Sequence, residues 1–127
     1  MVVDDEHDVL LVTKLMLERN GFKVHAFSDP SLALKHLKED GCKDCRLVIS
    51  DFKMPGMTGL ELARYVKQAR PEIRVFLTTA FPIRREEWRK VLPSIGIDDF
   101  IAKPFSSEEL VDAIKKCAWQ QHQPNSQ

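Results

Sequence analysis

Five times along the chain a short apolar run is followed by a stretch with apolar residues at helical spacing, and this repetition restricts the possible folds more than any other feature. "MVVDD" is a β-rich run, and residues 6–20 then carry Val9, Val12 and Met16 at helical spacing before Gly21 stops the pattern. "FKVHAF" from Phe22 alternates like a strand, Asp29-Pro30 opens a helix with proline at its first position, and Asp40-Gly41 closes it. "RLVIS" is a continuous apolar run suited to a strand covered on both faces. Thr58 and Glu61 have capping-box spacing ahead of Leu62, Ala63 and Val66, and Pro71 ends that helix. "IRVFLTT" from Ile73 reads as a fourth strand, the charged segment from Arg84 to Leu92 as a fourth helix, and "IDDFIA" from Ile97 as a fifth strand. Ser106 and Glu109 repeat the capping-box spacing before Leu110, Ala113, Ile114 and Cys117. Five βα units predict an α/β domain with a parallel sheet and helices on both faces.

At 127 residues this is one domain, and the polar "QQHQPNSQ" at 120–127 reads as a loose tail. With 19 basic and 19 acidic side chains, no global field recruits nucleic acid or an acidic membrane. No apolar stretch approaches the ~20 residues of a membrane span. The start turns acidic too early for a signal peptide, so a cytoplasmic location is expected. Three cysteines, an odd number, do not form a disulfide framework. Cys42 and Cys45 make a C-x-x-C, but zinc wants about four ligands and only Cys117 and scattered histidines remain; packing or surface cysteines are the reading taken.

In open α/β sheets, ligands sit beyond the carboxyl ends of the strands. The predicted strands deliver Asp4, Asp5 and Glu6 there, then Asp51, then Thr78 and Thr79, then Lys103. Carboxylates from two strands on one rim give a hard, all-oxygen pocket suited to Mg²⁺ or Mn²⁺. Such a metal, a central carboxylate, a hydroxyl and an ammonium match the needs of phosphoryl transfer, with Asp51 able to form an aspartyl-phosphate. Plainer readings exist for each: acids favour a helix N-terminus, threonine is a β-former, and Lys103 suits a solvated surface.

Together "VVDDE", "DFKMPGMTG", "LTTA" and "DDFIAKPF" resemble the four motif blocks of the response-regulator receiver domain, in the right order, and the resemblance covers nearly the whole chain. It implies a receiver domain over 1–119 with a flavodoxin-like, doubly wound sheet of five strands in the order 2-1-3-4-5. It implies that Asp51 is the phosphoacceptor, that Asp5 binds Mg²⁺ directly with Asp4 as its partner, and that the backbone carbonyl of Lys53 completes the protein's ligands. Thr79 matches the switch hydroxyl, Lys103 the conserved-type lysine, and Phe100 an aromatic that turns inward on activation. The Lys103-Pro104 bond is implied to be cis. The partners implied are a histidine kinase or phosphotransfer protein and a downstream protein meeting the face of the fourth helix, fifth strand and fifth helix. A monomer or weak dimer is expected, since Ala113 stands where many DNA-binding relatives carry an arginine, and so is no direct contact with nucleic acid or membrane. None of His7, His25, His36 and His122 lies in a kinase histidine box, which makes the chain an acceptor rather than a donor. It is therefore read as a non-enzymatic signalling module that assists its own phosphorylation and dephosphorylation.

The rival reading is a Mg²⁺-dependent aspartyl-phosphate hydrolase, but such enzymes of the haloacid-dehalogenase type place a second aspartate where Lys53 stands here. A flavin or nucleotide binder would need a Gly-rich loop after the first strand, and none follows it. The first strand has only Met1, Val2 and Val3 ahead of its acids, against an average of about 5–6 residues, so the expectation is a native start further upstream or a frayed strand.

Overall fold

The structure, a computed structural model, describes residues 1–39, 43–81, 84, 86–87 and 91–122, with the backbone alone at 93 and 118–122. Five parallel strands form one sheet in the order β2-β1-β3-β4-β5: β1 (Val2–Val3), β2 (Ala26–Phe27), β3 (Leu47–Asp51), β4 (Arg74–Thr79) and β5 (Asp99–Ala102). Helices α1 (His7–Arg19), α2 (Pro30–Lys38) and α3 (Gly59–Ala69) and a C-terminal helix (Ser107–His122) connect and cover it. This is the flavodoxin-like order that the sequence resemblance implies.

Strand alternation divides the core in two. Val3, Val48, Val75, Leu77 and Phe100 pack toward α2 and α3 with Ala33, Leu37, Leu62, Ala63 and Val66. Val2, Ile49, Phe76 and Ile101 face the opposite way, onto Leu10 and Leu17 of α1 and Leu110 of the C-terminal helix. Both faces of the central strands are buried, which is why "LVIS" and "VFLTT" are unbroken rather than alternating runs.

Local signals set the helix ends. The Asp29 carboxylate accepts from Ser31 N–H at 2.8 Å with Pro30 at the first helical position. Thr58 and Glu61 form a reciprocal capping box at 3.2 Å in each direction, and Ser106 and Glu109 form a second at 3.0 and 3.3 Å. Gly21 follows α1 with φ 88°, a conformation that favours glycine.

Several boundaries differ from the sequence reading. β2 is confined to Ala26–Phe27, because these are the residues that find partners on β1. The C-terminal helix continues to His122, across the first three residues of the expected tail, and 123–127 lie outside the described residues. Most of the expected fourth helix also lies outside them: Glu86 and Glu87 are helical, and a 3-10 turn spans Leu92–Ile95. β1 is two residues long, yet Val2 and Val3 are buried and paired on both sides.

Gly59 fixes how closely α3 approaches the end of β3. A Cβ there would collide with the Asp51 carbonyl and come within 2.9 Å of a Leu77 methyl. Gly59→Ala is expected to destabilise the domain by roughly 3 kcal/mol, the upper part of the usual range for overpacking. A urea midpoint unchanged from wild type would contradict this.

Candidate functional site

β3 runs buried to its last residue and ends on Asp51, whose side chain therefore emerges at the carboxyl edge of the sheet with the residue only 8 % exposed. The turn beyond is pinned from both sides: Phe52 N–H donates to Thr78 O at 2.8 Å, and Gly59 N–H donates to Phe52 O at 2.8 Å. One Asp51 oxygen, Oδ1, accepts from Phe52 N–H at 3.0 Å and lies 3.2 Å from Lys103 Nζ. Among the described residues no hydrogen bond engages Oδ2.

Asp4 leaves β1 on the same edge, buried to 3 %. Its Oδ1 accepts from Glu6 N–H at 2.9 Å, and its Oδ2 accepts from Lys103 Nζ at 2.9 Å. Asp5 follows, half-buried. Asp4, Asp5 and Asp51 each offer a carboxylate oxygen within 4.8 Å of the others. Lys103 N–H donates to Thr79 O at 2.7 Å, so the end of β4 fixes where the lysine side chain begins. The Lys103–Pro104 bond is cis.

The electrostatics follow from this crowding. Burial pushes the Asp51 carboxyl above its usual value and the Asp4 charge adds to the effect, against the opposing pull of Lys103. Burial alone would lower Lys103, but hydrogen bonds and charges from Asp4 and Asp51 outweigh it and raise the ammonium. One cation thus spans two carboxylates, and a third carboxylate stands beside them. A compact, oxygen-only, acid-rich cluster is the donor set that a hard divalent cation such as Mg²⁺ prefers, so the residues present fit that ion.

Thr79 ends β4, buried to 2 %, and its Oγ1 accepts from Phe81 N–H at 3.1 Å, which leaves the hydroxyl proton free of that bond. Phe100 is buried to 4 %, its ring centroid 6.2 Å from that of Phe52. Phe81 is 56 % exposed, and Lys53 is exposed in the turn after β3. The structure thus gathers Asp4, Asp5, Asp51 and Lys103 into one cluster, with Thr79 at the adjacent strand end.

The family model described as the response regulator receiver domain matches residues 1–115. The chain belongs to that family. As a receiver domain it is a phosphoacceptor signalling module, and the hydrolase reading is not favoured. It is 32 % identical over 116 residues to the alkaline phosphatase synthesis transcriptional regulatory protein PhoP of Bacillus subtilis, covering 91 % of this chain and 46 % of that protein. It is 33 % identical over 118 residues to the C4-dicarboxylate transport transcriptional regulatory protein DctD of Rhizobium meliloti, covering 91 % of this chain and 24 % of that one. The chain therefore spans less than half the length of these two relatives. A receiver domain from Clostridium thermocellum superposes with TM-score 0.82 at 27 % identity, over 94 % of this chain and 93 % of that one. The response regulator TrrA of Thermotoga maritima, solved in complex with Mg²⁺ and BeF, matches with TM-score 0.73 at 30 % identity, over 91 % and 94 %.

Gly59 and Ser50 carry no site role in the sequence reading, yet they shape the Asp51 turn: Gly59 admits the helix, and Ser50 Oγ donates to Asp51 O at 3.0 Å. The glycine was visible as the last residue of "DFKMPGMTG", but its close approach to Asp51 was not. Cys42 lies outside the described residues. Cys45 is half-buried with Sγ 3.6 Å from Leu47 O, and among the described residues the potential metal ligands cluster at Asp4, Asp5 and Asp51. No helix among the described residues is long and apolar enough to cross a membrane.

Proposed function

We propose that Asp51 accepts a phosphoryl group from a phosphohistidine on a partner kinase or phosphotransfer protein, and that the mark alters a partner-binding surface. The observation that carries this reading is the contrast between the two Asp51 oxygens: Oδ1 is held by Phe52 N–H and Lys103, while Oδ2 meets no hydrogen-bond partner among the described residues. Oδ2 attacks the phosphorus in line, the P–N bond breaks as the P–O bond forms, and the leaving imidazole nitrogen takes up a proton. Lys103 faces a phosphoryl oxygen across the site, and Thr79 donates its free hydroxyl proton to another. Asp5, Asp51 and the Lys53 carbonyl would hold Mg²⁺, with Asp4 as partner of the set; when bound, the ion supplies positive charge for the transferring oxygens. Asp4 has both oxygens engaged whereas no hydrogen bond to the Asp5 carboxylate is recorded among the described residues, which supports that division.

The output proposed is a shift of Thr79 toward the new charge, repacking Phe100 and the face formed by the segment after β4, β5 and the C-terminal helix. A downstream protein meets that face, with the domain a monomer or weak dimer, in the cytoplasm, and touching neither nucleic acid nor membrane directly. Incubation with acetyl phosphate and Mg²⁺ tests the reading. A single added phosphoryl, mapped by mass spectrometry to Asp51, is expected, whereas steady phosphate release with no trapped adduct would favour the hydrolase.

The lifetime of the mark is set by access of water to the phosphorus. Phe81, two residues past Thr79, is exposed and cannot orient a water, and Lys53, two residues past Asp51, is also exposed. Slow hydrolysis is expected, and Phe81→Ala should accelerate phosphate loss several-fold. If neither Phe81→Ala nor Lys53→Asn changes the rate in excess Mg²⁺, shielding by these side chains is not operating.

A further inference from the structure

Phe52, the residue after Asp51, is tied on three sides. Its N–H is shared between Asp51 Oδ1 at 3.0 Å and Thr78 O at 2.8 Å, and its carbonyl accepts from Gly59 N–H at 2.8 Å. Its ring is half-buried and packs on the core cluster that holds Phe100. The two ring centroids are 6.2 Å apart with 36° between the ring planes, within the range of interacting aromatic pairs. That contact reaches across a whole strand. β4 lies between β3 and β5, so the backbones of those two strands are about 10 Å apart and only long side chains bridge them. Asp51 lies opposite Thr78 and Phe100 opposite Leu77, so the ring pair crosses β4 just short of Thr79.

Phosphorylation through Oδ2 changes what Phe52 N–H holds. The remaining oxygen, Oδ1, turns from a carboxylate oxygen into the carbonyl oxygen of a mixed anhydride and loses its share of the negative charge. A hydrogen bond to an ionised acceptor is about twice as strong as one to a neutral acceptor, so the Oδ1 half of the shared bond weakens and Thr78 O keeps the N–H. The Phe52 carbonyl stays fixed on Gly59 at the start of α3. The residue therefore turns about a held carbonyl, and its ring turns with it against Phe100.

We propose that Phe52 is a positioning residue that carries the change at Asp51 Oδ1 to Phe100 by ring contact, alongside the route through Thr79. The inference rests on Asp51 as the phosphoacceptor. The two routes read different parts of one event: Thr79 needs a phosphoryl oxygen to bond, whereas Phe52 responds to the charge that Oδ1 loses. Phe100 is thus addressed from both strands that reach the site beside it, by β4 through a hydroxyl and by the end of β3 through a ring.

The test is a double-mutant cycle read on ligand affinity rather than on stability. The full chain, Phe52→Leu, Phe100→Leu and the double variant are titrated with beryllofluoride, a phosphoryl mimic, in the presence of Mg²⁺. The effect of the double substitution on affinity should depart from the product of the single effects by roughly two- to tenfold, the bias that an aromatic pair supplies. Phe52→Tyr, which keeps the ring, should bind as wild type does. In wild type, the Phe52 amide proton should move upfield on binding, as its bond to Oδ1 weakens. Single effects that simply multiply would overturn the proposal, since packing alone leaves the two effects on affinity independent. So would a Phe52→Tyr that matches Phe52→Leu, or a Phe52 amide resonance that does not move upfield. Failure of the underlying reading looks different: wild type that neither binds beryllofluoride nor takes a phosphoryl group at Asp51 removes both, whereas a phosphorylated Asp51 with independent effects removes this inference alone.

Discussion

Asp51→Asn is expected to leave no detectable acyl phosphate after acetyl phosphate and Mg²⁺, while the domain melts at a higher temperature than wild type at pH 7. Loss of the mark follows from chemistry: an amide oxygen is not a carboxylate nucleophile, and no other carboxylate in the cluster has its position at the end of β3. The gain in stability follows from burial. Asp51 is pushed above the ordinary carboxylate value chiefly by desolvation and then by Asp4, so its ionised form is disfavoured in the folded state. For such a group the stabilising contribution is present at pH below the unfolded value, about 3.9, and is lost as pH rises through the folded value. At neutral pH the ionised Asp51 therefore lowers stability, and an uncharged Asn of the same shape removes that cost. The difference in melting temperature should shrink as the pH is lowered into the carboxylate range, where wild-type Asp51 takes up its proton. Labelling that persists in Asp51→Asn would move the acceptor to another residue. A lower melting temperature at pH 7 would mean that the Lys103 contact outweighs burial.

The element order was legible because each element carries its own local signal. The capping boxes at Thr58 and Ser106, the Asp29-Pro30 start and the unbroken apolar runs of β3 and β4 act over a few residues and need no tertiary partner to be read. The acid cluster was legible for a related reason: in a parallel sheet every strand delivers its carboxyl end to one edge, so the last polar residue of each strand is a candidate before any contact is known. Signals that depend on distant residues were not legible. β2 pairs only where β1 exists to receive it, so the alternating "FKVHAF" overstates the strand. Gly59 reads as a turn residue until α3 is seen against the Asp51 carbonyl. Asp98 is another case. It binds Lys67 Nζ at 3.0 Å, Arg74 at 3.2 Å and Val75 N–H at 2.8 Å, joining α3, β4 and the approach to β5 at the edge away from the acid cluster. Nothing in "GIDDF" separates it from Asp99.

Lys103→Met should separate the two things that the lysine does. In the wild type its ammonium lies 2.9 Å from Asp4 and 3.2 Å from Asp51, and the three side chains are between 4 % and 14 % exposed. Removing the cation leaves Asp4, Asp5 and Asp51 facing one another without compensation. Breaking a buried pair costs about 3–5 kcal/mol, and the position of this one at the rim of the sheet places the expected loss near the lower figure. A divalent cation held by the same carboxylates replaces the missing charge, so added Mg²⁺ should raise the melting temperature of Lys103→Met more than that of wild type. The lysine's contribution is raised in pKa by its partners, and so is fully present at neutral pH and lost only as the pH climbs through the alkaline range; the variant should lack that alkaline transition. Metal rescue is not expected to restore signalling. Phosphorylation of Lys103→Met should be slower, and its partner-binding surface should respond weakly to the mark, because no ammonium reaches the phosphoryl oxygen. Asp5→Ala provides the contrast, with Mg²⁺ affinity lost and Lys103 still seated on Asp4. If Mg²⁺ stabilises Lys103→Met and wild type equally, the lysine and the metal do not share the carboxylates, and the division of roles in this cluster has to be redrawn.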